Sequence, residues 1–175
     1  MGVLKPVIST ILALAGFAII TTELQAFASS GIGESHVAIS ARTTDGARFR
    51  SDDPAGNVII VNFWATWCGP CRREMPALES YYREHRDEGL RILAISLDDP
   101  EDSQKVNEFM SNFTYPAAFY GDAELEGFER FHSVPATYVI DRQGRLINRG
   151  RPKTDGIDAE YLESAVTPLL RSDGE

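Results

Sequence analysis

Cys68 and Cys71 are the only cysteines in the chain and stand two residues apart, in Trp67-Cys68-Gly69-Pro70-Cys71. A thiol pair at this spacing can close a disulfide, attack another disulfide or hold a soft metal ion. Before it runs Val58-Ile59-Ile60-Val61-Asn62-Phe63-Trp64, nearly all apolar and rich in β-branched side chains, as expected of a strand covered on both faces. After it, Met75, Leu78 and Tyr82 fall at i, i+3 and i+7, which predicts a helix from Cys68 to about Asp87, stopped by Gly89 and kinked at Pro76. Cys68 thus falls where the free N–H groups and dipole of a helix start favour an anion. Its thiol is expected to be more acidic than that of a free cysteine and to be the nucleophile. Cys71, one turn further on, is expected to be shielded and to act as the resolving thiol that attacks the mixed disulfide.

Other uses of the pair fit the residues less well. A structural zinc site wants four ligands, and His36, His85 and His132 are scattered at no ligand spacing. Covalent haem attachment needs His after the second cysteine, where Arg72 stands. A Cu(I) carrier using both thiolates is compatible with the residue types and is the non-enzymatic alternative. An exported chain usually spends cysteines on structural disulfides, and no cysteine is left here for a second one, which shifts the pair toward redox use; a two-residue staple in an oxidising compartment is the other alternative. The expectation is therefore dithiol chemistry without a metal or an organic cofactor.

The 175 residues are 43% hydrophobic and 25% charged, an ordinary globular composition for one domain. A formal net charge of −9 argues against nucleic acid as a partner, since that affinity rests on excess Lys and Arg. The first 28 residues differ from the rest. Val7 to Ile20 is apolar apart from Ser9, Thr10 and Gly16, and Ala26-Phe27-Ala28 has a small-x-small pattern. The run is short for a membrane helix of about 20 residues and suits a signal peptide cleaved after Ala28, with an uncleaved anchor over residues 7–28 as the alternative. Residues 29–36 read as a short linker and 37–175 as the folded domain.

Within that domain, Val37, Ile39 and Ala41, then Thr44-Asp45-Gly46 and Phe49, read as a β-hairpin. A strand is expected over Leu90–Leu97, and a helix after Asp99-Pro100 burying Val106, Phe109, Met110 and Phe113. Next come a short strand over Tyr115–Tyr120, a short helix over Asp122–His132, a strand over Ala136–Ile140 and an edge strand over Arg145–Arg149. A last helix over Asp158–Leu170 is expected to bury Ile157, Tyr161, Leu162, Ala165, Val166 and Leu169. Alternating strands and helices, then a hairpin and a closing helix, indicate an α/β fold with a mixed sheet.

The stretch Val61 to Leu78, VNFWATWCGPCRREMPAL, with Val134-Pro135-Ala136-Thr137 further on, closely resembles the TlpA/ResA-like branch of the thioredoxin superfamily over residues 37–170. The resemblance implies a thioredoxin-like fold, with a mixed sheet flanked by helices, an N-terminal hairpin and a central strand-helix insertion over residues 100–128. It implies an extracytoplasmic thiol-disulfide reductase that takes electrons from a membrane thiol donor and passes them to oxidised client proteins, often apocytochrome c. By position it implies catalytic roles for Cys68, Cys71 and Glu74 and a cis Pro135, with Trp67, Gly69, Pro70 and Val134 meeting the client. A monomer is expected. Ser133 replaces a glycine common in relatives, and Asn62 stands where cytosolic thioredoxin has a buried aspartate. Glu74 could raise the thiol pKa values and accept a proton from Cys71, or be a solvated first-turn acid. Trp64 reads as core, and Arg72 and Arg73 as exposed charges with a docking role. A peroxiredoxin-like peroxidase would share the fold, but its separate peroxidatic cysteine motif is not found.

Overall fold

The computed structural model of the protein describes residues 36–52, 56–128, 133–148 and 156–172. The expected leader and cleavage site, all but the end of the linker, and His132 lie outside these residues. Among the described residues no helix is long and apolar enough to cross a membrane.

β1 (Ala38–Thr43) and β2 (Arg48–Arg50) form the hairpin, with Ala41 opposite Phe49. Its turn closes because Asp45 accepts from the Thr43 hydroxyl and the Ala47 N–H at 2.5 and 3.1 Å, and Gly46 takes φ 88°. β3 (Val58–Trp64) is buried at all seven positions and runs parallel to β4 (Leu90–Ser96) and antiparallel to β6 (Ala136–Ile140). With β5 (Ala117–Glu126) and β7 (Leu146–Asn148) the sheet order is β2-β1-β5-β4-β3-β6-β7. This is the expected mixed sheet of a thioredoxin-like fold.

Two-residue alternation along β3 divides the core. Val58, Ile60 and Trp64 join one apolar cluster with Cys71, Met75, Leu78, Val106, Leu162 and Val166. Ile59, Val61 and Phe63 join the other, with Ile39, Phe49, Tyr138 and Ile140. The first cluster receives the helices α1 (Gly69–His85), α2 (Ser103–Met110), α3 (Ala159–Ala165) and α4 (Thr167–Arg171).

Three local expectations change. Asp122–Glu126 is strand rather than helix: Ala123 and Leu125 pair with Ala41 and Ile39 of β1 and pack on the second cluster, while Glu124 and Glu126 point to solvent. Pairing with β1 satisfies a backbone whose composition alone read as helical. The C-terminal helix is split at Val166. Pro168 has no N–H for the carbonyl of Ser164 and its ring crowds that turn, and Leu170 rather than Leu169 becomes the buried leucine. Asp99 sits before a 3₁₀ turn over Pro100–Asp102 and its side chain makes no capping bond.

Candidate active site

α1 begins immediately after Cys68, which occupies its N-cap position with extended backbone (φ −85°, ψ 96°). Cys68 and Cys71 are joined as a disulfide. The Cys71 N–H, one of the donors a helix start leaves without an internal partner, points at Cys68 Sγ at 3.2 Å. Pro70 lies in the first turn, where its missing N–H costs nothing. Cys68 keeps 5% of its surface exposed and Cys71 none, so an outside sulfur can approach only Cys68. Trp67 beside it is 68% exposed, and Gly69 and Pro70 are also exposed.

The loop carrying Trp67 is held from behind by Asp98. This 7% exposed carboxylate accepts from the Thr66 N–H at 2.8 Å, the Thr66 hydroxyl at 2.6 Å and the Ser96 hydroxyl at 2.7 Å. The Val134–Pro135 peptide bond is cis, as the resemblance implied. Pro135 is buried at the start of β6, and Val134 packs against both apolar clusters. Under α1, Asn62 is fully buried and donates from Nδ2 to Thr137 Oγ1 at 2.9 Å, tying β3 to β6. Its Oδ1 has no hydrogen-bond partner among the described residues.

Glu74 differs from the solvated acid it could have been: it is 7% exposed. Its carboxylate lies against Gly156, where a Cβ would come within 2.9 Å of Oε1. With Pro70, Arg73, Ile157 and Asp158 these two residues line a cleft of about 220 Å³. Neither cysteine lines that cleft. Trp64 is core as expected, against the Phe109 ring. Arg72 and Arg73 are exposed, with the Arg72 guanidinium 5.4 Å from the Phe109 ring centre.

Residues 32–149 match the AhpC/TSA family. The chain belongs to this family. Among relatives, it is 33% identical over 104 residues to "Thiol-disulfide oxidoreductase ResA" of Oceanobacillus iheyensis, across 58% of this chain and 53% of that one. It is 34% identical over 108 residues to "Thioredoxin-like protein YneN" of Bacillus subtilis, across 60% and 62%. The chain thus spans between half and two thirds of these relatives' lengths. A crystal structure of a thioredoxin family thiol:disulfide interchange protein from Chlorobium tepidum superposes with a TM-score of 0.64 at 21% identity, covering 81% of this chain and 99% of that one. Within this AhpC/TSA-family fold, the Cys68–Cys71 bond can open to a dithiol by accepting two electrons and two protons, and the dithiol can pass them on as the bond closes again, which is thiol-disulfide oxidoreductase chemistry.

Four residues that position the site were not singled out for that role: Thr66, Ser96, Asp98 and Thr137. Ser96-Leu97-Asp98 at the exit of a predicted strand carried a usable signal, because a carboxylate there can bond back to its own turn. Its reach to Thr66 crosses between two strands and leaves no mark in local spacing.

Proposed function

We propose that this chain is an extracytoplasmic thiol-disulfide oxidoreductase that reduces disulfides in protein clients. The observation that carries the reading is the asymmetry of the pair: Cys68 reaches the surface at the N-cap of α1 beside an exposed tryptophan, and Cys71 is sealed beneath it. In the reduced chain the Cys68 thiolate attacks a client disulfide, forming one S–S bond and releasing one client thiolate. The Cys71 thiolate then attacks Cys68 Sγ, freeing the second client thiol and closing the Cys68–Cys71 bond. Two electrons pass to the client, and a membrane thiol donor restores the dithiol.

Trp67, Gly69, Pro70 and Val134 form the client-facing surface, with Pro135 fixing the edge beside it and Glu74 managing protons near Cys71. The apolar leader supports export, and the names of similar relatives support disulfide chemistry. Apocytochrome c, which presents a cysteine pair of its own, is the client class proposed. Expressing Cys71→Ser in the full exported chain tests the reading. Mixed disulfides with envelope proteins should accumulate, and they should vanish when Cys68→Ser is added. Identical behaviour of the two single variants, with no trapped protein, would remove the division of labour. Turnover of hydroperoxide in place of protein disulfides would instead favour a peroxidase.

A further inference from the structure

α1 ends at His85, and its last turn meets α3 in an arrangement with no part in the disulfide chemistry. His85 stands fourteen positions after Cys71 on this helix, about 21 Å at 1.5 Å per residue. The His85 ring is buried, with its side chain 8% exposed, and packs on Tyr81 with ring centres 4.3 Å apart. Nδ1 lies 3.2 Å from Glu88 Oε1. A ring that donates from Nδ1 to that carboxylate presents the lone pair of Nε2 to a metal ion.

Among the described residues, buried Nε2 has no hydrogen-bond partner and faces Glu163 Oε1 of α3 at 3.7 Å. This is too long for a hydrogen bond. It is close to the spacing of two ligand atoms each about 2.1 Å from one ion, which is about 3.4–3.6 Å at tetrahedral to trigonal angles. Glu163 is itself held in place, since its Oε2 accepts from the Thr167 hydroxyl at 2.8 Å, and that hydroxyl lies 2.8 Å from the Tyr81 hydroxyl. A carboxylate oxygen of Glu84 completes the group, all three ligand atoms falling within 4.8 Å of one another.

The electrostatics suit a cation. The carbonyl end of a 17-residue helix carries the negative pole of its dipole. Three carboxylates gather around one imidazole, while the nearby Arg83 and Arg86 are turned to Glu79 and Asp87. Glu84 is exposed and the Glu163 side chain is 53% exposed, so an ion and its waters have an entry.

We propose that His85 Nε2 and the carboxylates of Glu163 and Glu84 form a site for one divalent cation of the imidazole- and carboxylate-binding class, such as Zn²⁺. Glu88 and Thr167 orient its ligands, and the bound ion clips the end of α1 to α3.

The test uses the full oxidised chain, whose cysteines are bonded to each other and cannot ligate, titrated calorimetrically with Zn²⁺ after metal is stripped. One ion per chain should bind, and thermal unfolding should shift upward with free Zn²⁺. Glu163→Gln and Glu84→Gln, on exposed side chains, should each weaken binding by at least about tenfold. His85→Gln should abolish it. Because His85 is buried and that variant could unfold, imidazole nitrogen NMR of the unaltered chain provides a second reading: Nε2 of His85 should shift on adding Zn²⁺ while Nδ1 keeps its proton. Absence of binding at about 100 μM Zn²⁺, equal binding by Glu163→Gln, or an unmoved Nε2 signal would each overturn the site.

Discussion

Asp98 shows how one side chain can govern the reactive loop without touching sulfur. Its carboxylate satisfies the Thr66 N–H and two hydroxyls in a nearly closed setting, and bonds to a charged acceptor contribute about 1.5–3 kcal/mol each before losses to relaxation. Asp98→Ala should lower the unfolding free energy of the oxidised chain by about 2–4 kcal/mol and slow client reduction by loosening Trp67 and Cys68. Denaturant unfolding and a disulfide-reduction assay read the two effects; unchanged turnover in a destabilised variant would leave Asp98 with a purely structural role. At Gly156, φ of 150° favours glycine, and a Cβ would meet Glu74 Oε1 at 2.9 Å. Gly156→Ala should therefore cost about 1–3 kcal/mol. Part of that loss should disappear in a Glu74→Ala background, where the contact is gone and only the backbone strain remains. Additive losses would mean that the carboxylate does not press on this loop.

Between elements, Glu79 fastens the middle of α1 to the start of the β5 segment. It accepts from the Thr114 N–H and hydroxyl at 2.8 and 3.0 Å and from Arg83 at 2.5 Å. Burial pushes its carboxyl up, but the Thr114 and Arg83 bonds outweigh burial and hold it below its ordinary value of 4.5. A carboxyl lowered on folding adds stability that is fully present above that ordinary value and is lost as pH falls through the lowered one. Glu79→Gln should accordingly cost about 1–3 kcal/mol at pH 7, with the gap to the unaltered chain narrowing once the medium falls below pH 4.5. Parallel unfolding curves from neutral to acid pH would count against this fastening. Elements differed in how plainly the sequence announced them. β3 was readable because its seven residues are buried on both faces and apolar except for Asn62, and α1 because its apolar residues recur every three or four positions. The second half of β5 was not: Ala123, Leu125 and their glutamate neighbours suit a helix locally, and only β1, some eighty residues earlier in the chain, makes them a strand. Pro168 was a legible break in the last helix that periodicity alone overrode. Asn62 and Glu74 were placed correctly along the chain, but burial of the Glu74 carboxylate depends on Gly156, on a segment that spacing cannot bring near.

For the molecule as a whole, the direction of electron flow is a stability difference. The reduction potential of Cys68–Cys71 relative to an unfolded Cys-x-x-Cys equals the difference in folding free energy between the oxidised and reduced chains, about 1.4 kcal/mol for every 30 mV of a two-electron couple. An oxidant is one whose reduced form is stabilised, chiefly by support for a thiolate. Among the described residues that support comes from the Cys71 N–H and the start of α1, with Arg72 drawn over Phe109. Cys71 is fully buried, so its thiolate gains nothing from water. The oxidised chain should therefore be the more stable form. Guanidinium unfolding of the oxidised chain and of the chain held in excess reductant gives the two free energies, and equilibration with glutathione gives the potential independently. The expected result is a higher unfolding midpoint for the oxidised chain and a potential below that of glutathione. A more stable reduced chain, with a potential above glutathione, would leave the disulfide chemistry intact but reverse its direction, making the protein a donor of disulfides to its clients.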